Sequence, residues 1–503
     1  MSVALVWFRN DLRLEDNPAL AAAIAGGHAI VPVFIWSPED EAPWQPGGAS
    51  RWWLHQSLAH LQGQLSARGS QLILRRSNHL DRTFDAETAL WQLIQDTGAT
   101  AIYWNRRYEP AITARDTRIK RTLRERGLVV ETFNAQLAFE PWEMQTQAEQ
   151  PYRVFTPFWR ACLRRLAERP PREVATIPFA LPAPDNGAWP TSLKLDDLDL
   201  RPRVDWAKGL RAQWSPGEAG AHAQLARFIE DGVGGYAALR NTPAVEGTSR
   251  LSPHLHFGEI GPGQIWRALR AAASFRHDVD LSGSDAFLRE VGWREFSHHL
   301  LFHFPATTEQ PLRPEFARFP WRESPQDLLA WQRGQTGFPL VDAGMRELWQ
   351  TGFMHNRVRM VVASFLVKHL MLPWQDGARW FWDTLVDADL AQNTLGWQWT
   401  AGCGADAAPY FRVFNPSLQG TTFDAGGAYV RRFVPELANV PNAFIHAPWR
   451  CPQATLHHSG VRLGDTYPHP MVDHAEARAR ALAAFSTLKT SGPAVTDPQT
   501  ARS

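Results

Sequence analysis

The first 135 residues alternate between short apolar runs and longer stretches with helical spacing. Apolar runs of about four to eight residues that end at turn residues are typical of buried strands. The predicted strands are Val3–Phe8, Ala29–Ile35, Gln71–Leu74, Ala101–Trp104 and Val129–Phe133, and the predicted helices are Pro18–Ala25, Ser50–Arg68, Phe84–Thr97 and Thr113–Arg126. Strands that alternate with helices indicate an α/β domain, residues 1–135, built on a doubly wound, parallel five-stranded sheet.

The periodicity changes after this domain. Residues 136–205 are rich in Pro, Asp and Arg, which predicts an interdomain linker. Residues 206–485 show only helical spacing, which predicts a large all-helical domain. Its predicted helices include Gly217–Asp231, Pro262–Ala273, Ser284–Leu301, Pro325–Gln332, Val341–Trp349 and one that begins near Asn356. Residues 486–503 are rich in Ser, Thr, Pro and Gly without a pattern, which predicts a disordered tail.

Composition excludes several classes of protein. The formal net charge is +1, so a nucleic-acid partner would need a local basic patch. The three cysteines, Cys162, Cys403 and Cys451, lie far apart, which excludes a disulfide framework and predicts no metal centre. No apolar run reaches the ~18 residues of a membrane helix. We therefore expect a soluble, cytoplasmic protein without a membrane partner, and a monomer. The number of tryptophans, 23, is unusual and suggests a role besides packing.

The stretch 337–416 concentrates polar and aromatic residues around one apolar helix pattern. The segment MHNRVRM at 354–360 opens the helix predicted from Asn356, and its two arginines cannot both lie on the buried face. Arg357 or Arg359 would then sit at the edge of a core and need a paired carboxylate, for which Asp387 is the candidate. Asp389 completes an acidic pair. The tryptophans at 374, 380, 382, 397 and 399 could each serve core packing alone.

Two further segments carry candidate chemistry. The loop TSRLS at 248–252, before a Pro and a helical stretch, offers hydroxyls, backbone N–H groups and a guanidinium to a phosphate. By itself this pattern fits a helix-capping cluster better.

Glu290 and Trp293 share a helix face, while Arg294 lies four residues after Glu290, so a surface salt bridge is the ordinary explanation for that carboxylate. The turn after the first strand, RNDLR, has no G-x-G-x-x-G, so a dinucleotide in the usual crevice of the sheet is not supported.

These motifs together resemble the photolyase/cryptochrome family of blue-light flavoproteins. The matching segments are MHNRVRM at 354–360, DADL at 387–390, GWQW at 396–399 and FRVFNPSLQG at 411–420, and RNDLR at 9–13 matches the N-terminal motif of the family. The resemblance runs from about residue 2 to about residue 485. It implies FAD in the helical domain, a light-harvesting antenna in the α/β domain, and DNA that contains pyrimidine dimers as the partner.

The resemblance also implies roles for individual residues. The FAD-binding residues would be Tyr236, Thr248, Ser249, Arg250, Leu251, Ser252, Asn356, Arg359, Asp387, Ala388, Asp389 and Asn393. The residues that contact the lesion would be Glu290, Trp293, Asn356, Met360 and Trp399. DNA would also contact Arg240, Arg294 and Arg357. A tryptophan relay would carry electrons to the flavin through Trp397, Trp374 and Trp321, in order from the flavin outward.

Three functions compete within this family. Repair of cyclobutane pyrimidine dimers by a photo-lyase agrees with Met360, Trp293 and Trp399, because a flipped dimer needs aromatic and apolar walls. Repair of (6-4) photoproducts would require a histidine-rich pocket with a second histidine near the position of Met360, and that histidine is absent from this sequence. A signalling cryptochrome is favoured by HLHFGEIGP at 254–262, but plant cryptochromes carry an aspartate at the position of Asn393 and a long C-terminal extension. We predict a cyclobutane-dimer photolyase of the group nearest the plant cryptochromes, which is class III-like.

Photolyases of that group are associated with 5,10-methenyltetrahydrofolate as the antenna. The alternatives are a deazaflavin or no antenna. Trp36, Trp44 and the segment Trp104–Glu109 lie near the place where family members hold it. Plain sheet-edge aromatics explain these residues equally well.

Overall fold

A computed structural model describes residues 1–77, 85–171, 173, 176–184, 189–276, 278–407 and 411–490. Its N-terminal domain contains a five-stranded parallel sheet in the order β3-β2-β1-β4-β5. The strands are β1 Val3–Phe8, β2 Ala29–Trp36, β3 Ile73–Arg76, β4 Ala101–Asn105 and β5 Val129–Phe133. The central strand β1 pairs Val3 with Ala29 on one side and Ala4 with Ala101 on the other. The predicted doubly wound sheet is confirmed.

Four helices cover the two faces of this sheet. They are α1 Pro18–Ala25, α2 Gly48–Ser66, α3 Ala86–Thr97 and α4 Pro110–Glu125. Helix α4 begins three residues earlier than predicted because Pro110 sits in its first turn, where a missing N–H costs nothing. Helix α3 begins after Asp85, whose carboxylate accepts the N–H of Thr88 at 2.9 Å. The predicted helix start at Phe84 lies outside the described residues.

The RNDLR turn holds the two domains together. The side chain of Asn105, at the end of β4, donates to the carboxylate of Asp11 at 2.6 Å. The guanidinium of Arg13 donates to the carbonyl of Gly258, in the helical domain, at 2.8 Å and to the carbonyl of Ala135 at 3.1 Å. The polar residues of this turn therefore have a structural role.

The predicted linker contains a packed helix. Helix α5, Phe155–Glu168, buries Phe155, Phe158, Cys162 and Leu166. Phe158 packs on Phe296 of the helical domain, with ring centroids 5.2 Å apart. Composition suggested a linker because the exposed positions of α5 are rich in arginine, but its buried positions follow the helical repeat.

The regular elements of the C-terminal domain, among its described residues, are helices joined by loops. Its helices are α6 Lys208–Gln213, α7 Glu218–Arg227, α8 Tyr236–Leu239, α9 Ser252–His256, α10 Pro262–Phe275, α11 Ser284–His303, α12 Pro325–Gln332, α13 Pro339–Thr351, α14 Asn356–Ser364, α15 Trp374–Thr384, α16 Leu390–Ala401, α17 Pro416–Phe423, α18 Ala428–Phe433, α19 Gln453–His458 and α20 His474–Thr490. Among the described residues, no helix has the length and apolarity needed to cross a membrane.

Helix α20 corrects the predicted boundary of the tail. Residues 486–490, which were assigned to a disordered tail, continue α20. The helix is anchored by the buried residues Ala477, Ala481, Ala484 and Leu488, which recur at helical spacing. The rest of the predicted tail lies outside the described residues.

Candidate active site

An ion pair between Arg359 and Asp387 forms the centre of the site. Arg359 is on α14, and its Nη2 donates to both carboxylate oxygens of Asp387, in the turn before α16, at 2.9 and 3.0 Å. Ser252, the first residue of α9, donates its hydroxyl to the same carboxylate at 2.6 Å. The guanidinium also donates to the carbonyl of Met354 at 2.7 Å. The predicted pairing is confirmed, and it ties three elements to one buried carboxylate.

The second arginine of the motif has a different environment. Arg357 donates to the side-chain oxygen of Asn241 at 2.8 Å, and its guanidinium lies 4.4 Å from the ring centroid of Phe423. Within the described part of the chain, its buried Nε has no hydrogen-bond partner. Burial lowers the pKa of Arg357, and the nearby Arg240 and Arg412 lower it further. An unpaired cationic side chain among other arginines is suited to an anionic partner.

Asp389 begins helix α16. Its carboxylate accepts the N–H of Gln392 at 2.9 Å, which makes it the N-cap. One carboxylate oxygen lies 3.4 Å from Nε2 of His298 and 3.8 Å from Nδ1 of His256. Burial alone would raise the pKa of Asp389, but His298, His256 and Arg294 lower it well below the usual range of a carboxyl group. The lowered pKa favours the ionised form of this buried carboxyl group. Ala388, between the two aspartates, is also buried.

The loop 248–252 does not cap helix α9. The residue before the helix is Leu251, which is buried and offers no capping side chain, and the hydroxyl of Ser252 is used by Asp387. Arg250 adopts a left-handed φ of 52° and lies 4.2 Å from the ring of Trp214. Its buried Nη2 has no hydrogen-bond partner among the residues that the structure describes. The capping interpretation is wrong, and the unpaired donor of Arg250 leaves a binding capacity that a phosphate oxygen would satisfy.

The other predicted FAD residues differ in exposure. Tyr236 is buried, with its ring against the edges of Phe228 and Phe287, and burial raises its pKa. Asn393 is half-buried and donates its side-chain N–H to the carbonyl of Ala378 at 3.0 Å. Asn356 is exposed, whereas Thr248 and Ser249 are half-buried.

Glu290 pairs with a residue that sequence spacing did not suggest. The guanidinium of Arg240 donates to its carboxylate at 2.6 Å, and both side chains remain about a quarter exposed. Arg294, the predicted local partner, is only 3% exposed and donates to the carbonyl of Gln136 at 2.7 Å. The predicted DNA contact of Arg294 is therefore corrected: the side chain fixes the segment before α5 to α11 and is not accessible to a phosphate backbone.

The two predicted aromatic walls are both half-buried. The ring of Trp293 stacks on Phe155, with centroids 3.7 Å apart and planes 8° from parallel. Phe155 thus covers one face of Trp293. Trp399 donates its indole N–H to the carbonyl of Asp406 at 3.1 Å. Met360, one turn after Asn356 on α14, is also half-buried.

The predicted relay tryptophans lie in neighbouring elements. Trp397 on α16 is buried, with its ring edge-on to Phe381 at 5.0 Å between centroids. Trp374 begins α15 and is also buried, whereas Trp321 is partly exposed and packs on Phe319. The order of the relay stays a prediction, because Trp397 and Trp374 are equally buried.

The region predicted for the antenna has little room. Trp36, Trp44 and Trp104 are all buried, and the nearby cavity measures about 40 Å³. An ion pair of Arg107 with Glu41, at 2.8 Å, fills part of its wall. A cavity of this size holds water molecules rather than a pterin.

A second cavity of about 460 Å³ lies between α2, the segment before α6, α13 and α15. Two exposed indoles line it: Trp206 is 41% exposed and Trp349 is 62% exposed. Three arginines, Arg51, Arg201 and Arg203, also line it. We call this cavity the Trp206–Trp349 groove.

Sequence reasoning missed His298, His256 and the two tryptophans of the groove. His298 lies eight residues after Glu290, which is close to two helical turns. This spacing was the one sequence signal that could have linked His298 to the helix of Glu290. Trp206 and Trp349 are far apart in the chain, so no spacing connects them.

The α/β domain, the helical domain and the buried acidic turn between α15 and α16 define a two-domain protein with the architecture of flavin-dependent photolyases. A family model described as DNA photolyase matches residues 4–176, and one described as the FAD binding domain of DNA photolyase matches residues 287–487. The chain belongs to the photolyase/cryptochrome family.

Individual relatives resemble nearly the whole chain. A deoxyribodipyrimidine photo-lyase of Agrobacterium fabrum is 49% identical over 486 residues, which is 96% of this chain and 98% of that protein. Cryptochrome-2 of Arabidopsis thaliana is 43% identical over 493 residues, which is 96% of this chain and 79% of that protein. The crystal structure of a bacterial class III photolyase from Agrobacterium tumefaciens superposes with a TM-score of 0.89 at 48% identity and covers 97% of this chain and 98% of that one.

Proposed function

We propose that this protein is a light-driven DNA photo-lyase that splits cyclobutane pyrimidine dimers by electron transfer from FAD. One structural observation supports the proposal: α11 and α14 both pack on α16, and these three helices carry Glu290, Trp293, Met360 and Trp399 as half-buried side chains, while the Arg359–Asp387 pair joins α14 to the turn before α16. In this proposal, the same helices hold the flavin and the flipped dimer next to each other. The high identity to proteins named deoxyribodipyrimidine photo-lyase supports the same activity.

The flavin-binding residues fit FAD by their unsatisfied groups. Arg250 has a buried donor that no described residue pairs with, which suits a pyrophosphate oxygen. The Arg359–Asp387 pair holds Ser252 and the turn that carries Asp389, so these groups are fixed before a cofactor arrives. Bound FAD supplies the electron that opens the dimer, and the protein supplies binding and orientation.

A dimer must leave the duplex before it can reach this site. Flipping costs a few kcal/mol, and stacking on an aromatic side chain contributes ~1–3 kcal/mol per base. The half-buried rings of Trp293 and Trp399 provide that stacking. Glu290 already accepts from Arg240, and its remaining acceptor capacity is directed at the polar edge of the flipped bases. Arg240 and Arg357 hold the backbone beside them.

The relay Trp397, Trp374, Trp321 reduces the flavin in light. It works in a monomer, because one chain carries every residue of the site, and it needs no metal ion. The protein acts in the cytoplasm, on the cellular DNA.

The antenna binds in the Trp206–Trp349 groove, not at the predicted edge of the sheet. A volume of about 460 Å³ falls within the ~300–1,000 Å³ range of small-molecule sites. Indole faces suit a pterin ring, and arginines suit the carboxylates of a folate tail. Trp349 in turn stacks on Trp380 of α15, with centroids 5.9 Å apart and planes 5° from parallel. These features favour 5,10-methenyltetrahydrofolate over a deazaflavin.

The groove is tested by the folate content of purified variants. Trp206→Ala and Trp349→Ala should each lose bound folate while they retain FAD. Trp142→Ala is the matched control, because Trp142 is also 41% exposed but lies outside the groove. Full folate retention in both groove variants would refute the placement.

The proposed activity is tested by illumination of the reduced protein with dimer-containing single-stranded DNA. Loss of the lesion supports the photo-lyase. Tight FAD binding without repair would instead support a signalling cryptochrome, which is the second candidate because of the identity to Cryptochrome-2. Protein purified under native conditions without any flavin would contradict both.

A further inference from the structure

A small cavity lies beside Trp399, at the C-terminal end of α16. It measures about 40 Å³, and its lining combines Trp399 and Thr400 of α16 with three cationic side chains, those of Arg313, Lys368 and Arg412. None of the described residues that line it is acidic. Positive charge is therefore concentrated around this cavity without a carboxylate in its wall, which suits an anionic ligand.

Lys368 brings a buried ammonium group to the cavity. It lies in the helical turn Phe365–His369 that follows α14, and it is 4% exposed. Its Nζ donates to the carbonyl of Arg412 at 2.5 Å and lies 4.4 Å from the ring centroid of Phe411. An ammonium group has three N–H donors, and the described residues accept one of them. The other donors are available to a ligand.

Two other polar side chains of the lining also have binding capacity. Thr400 is 4% exposed, and within the described part of the chain its hydroxyl makes no hydrogen bond. Arg412 is exposed, and no carboxylate among the described residues pairs with it. Arg313 differs, because Glu315 lies 2.8 Å from its guanidinium and neutralises it. The cavity thus offers two cations and one hydroxyl.

The size and position of the cavity restrict the chemistry of the ligand. One water-sized atom occupies ~10–15 Å³ of such a volume, so about 40 Å³ accommodates roughly three oxygen atoms. The two charged oxygens of a phosphodiester fit this space, whereas a base or a sugar ring does not. Lysine, arginine and threonine are all common phosphate ligands in protein–DNA complexes. The exposed Arg412 and the half-buried Trp399 place the cavity at the surface.

We propose that Lys368, Thr400 and Arg412 form a phosphate site that binds one backbone phosphate of the dimer-containing DNA strand beside Trp399. The inference rests on the proposed function, which places a flipped base against Trp399, because only a deoxyribose separates a base from its phosphates. The bound phosphate fixes the strand so that the base stays on the indole ring. An anion at this place also favours the charged form of Lys368, whose pKa burial lowers to about 7.

A cycle of one substitution and one modified phosphate tests the site in the dark. Single-stranded DNA with one cyclobutane dimer carries an uncharged methylphosphonate at each flanking position in turn, and its affinity for the FAD-containing protein is measured. At one position the wild type should lose affinity by about tenfold, as expected for a hydrogen bond to a charged group. Lys368→Met should bind unmodified DNA about tenfold more weakly and lose nothing further at that position.

Two more variants complete the cycle. Arg412→Gln changes an exposed side chain and should show the same coupling to that position, so the test does not depend on the folding of Lys368→Met. Arg121→Gln is the matched control, because Arg121 is exposed on α4 of the other domain and should keep the full methylphosphonate effect. Losses that simply add at every position, in Lys368→Met and in Arg412→Gln, would overturn the proposal.

Inorganic phosphate distinguishes a DNA phosphate from a free anion. Thermal midpoints are compared as phosphate replaces chloride at constant ionic strength. A rise in the wild type that Lys368→Met lacks, without coupling in the DNA cycle, would assign the site to free phosphate and refute the inference. Because DNA binding is measured in the dark, coupling without repair in light would refute the proposed function alone, whereas repair with additive losses would refute this site alone.

Discussion

Gly377 should be indispensable for the position of Trp397. A Cβ at residue 377, on α15, would lie 2.1, 2.5 and 2.6 Å from three carbons of the Trp397 indole. Ordinary contact begins at 3.4 Å, so the nearest carbon would have to move by about 1.3 Å (3.4 − 2.1). The indole cannot easily give way, because Phe381 and Trp331 pack against it with centroids 5.0 and 6.2 Å away.

Gly377→Ala should therefore destabilise the protein although alanine favours helices. Overpacking costs ~1–3 kcal/mol, and the better helix propensity of alanine returns at most ~1 kcal/mol. We expect a net loss of roughly 1–2 kcal/mol, seen as a lower thermal midpoint, together with slower photoreduction of the flavin because the relay tryptophan has moved.

Gly63→Ala is the control for helix propensity. Gly63 lies in the exposed part of α2, and a Cβ there meets nothing within 4 Å. This substitution should raise stability by ~0.5–1 kcal/mol and leave photoreduction unchanged. If Gly377→Ala behaved like Gly63→Ala in both assays, the close packing of Gly377 on Trp397 would be disproved.

Three further substitutions test two residues of the site and one buried lysine. Trp397→Phe should abolish photoreduction yet spare repair by chemically reduced protein, and normal photoreduction would point to another route. Glu290→Ala should lower the repair yield while FAD stays bound, and an unchanged yield would remove its role at the lesion. Lys368 is buried, its Nζ donates to the carbonyl of Arg412 at 2.5 Å, and burial lowers its pKa from 10.5 to about 7. Because the unfolded chain then binds more protons between about pH 7 and pH 10.5, stability rises with pH across that window. Lys368→Met should remove this rise and stabilise the protein near pH 7 by at most ~5 kcal/mol, less the lost hydrogen bond; thermal midpoints against pH that match those of the wild type would refute it.

Local hydrophobic periodicity was enough to predict the α/β domain and the helical domain. The strands alternate with helices because each apolar run is short and each intervening stretch follows helical spacing, and both signals lie within a single element. The start of α14 at Asn356 and the need of Arg359 for a carboxylate were also local, since two arginines two residues apart cannot share one buried face. Long motifs then predicted the flavin-binding residues by resemblance.

The choice of partners was decided only by the tertiary structure. Glu290 has a neighbour four residues away in Arg294, yet the packing of α11 against the segment before α5 buries Arg294 and brings Arg240 to Glu290 from the end of α8. In the same way, His298 meets Asp389, and Trp206 shares a groove with Trp349. A sequence pattern reports which face of an element is apolar, whereas contacts between elements depend on how whole faces fit together in space, and no spacing along the chain encodes that fit.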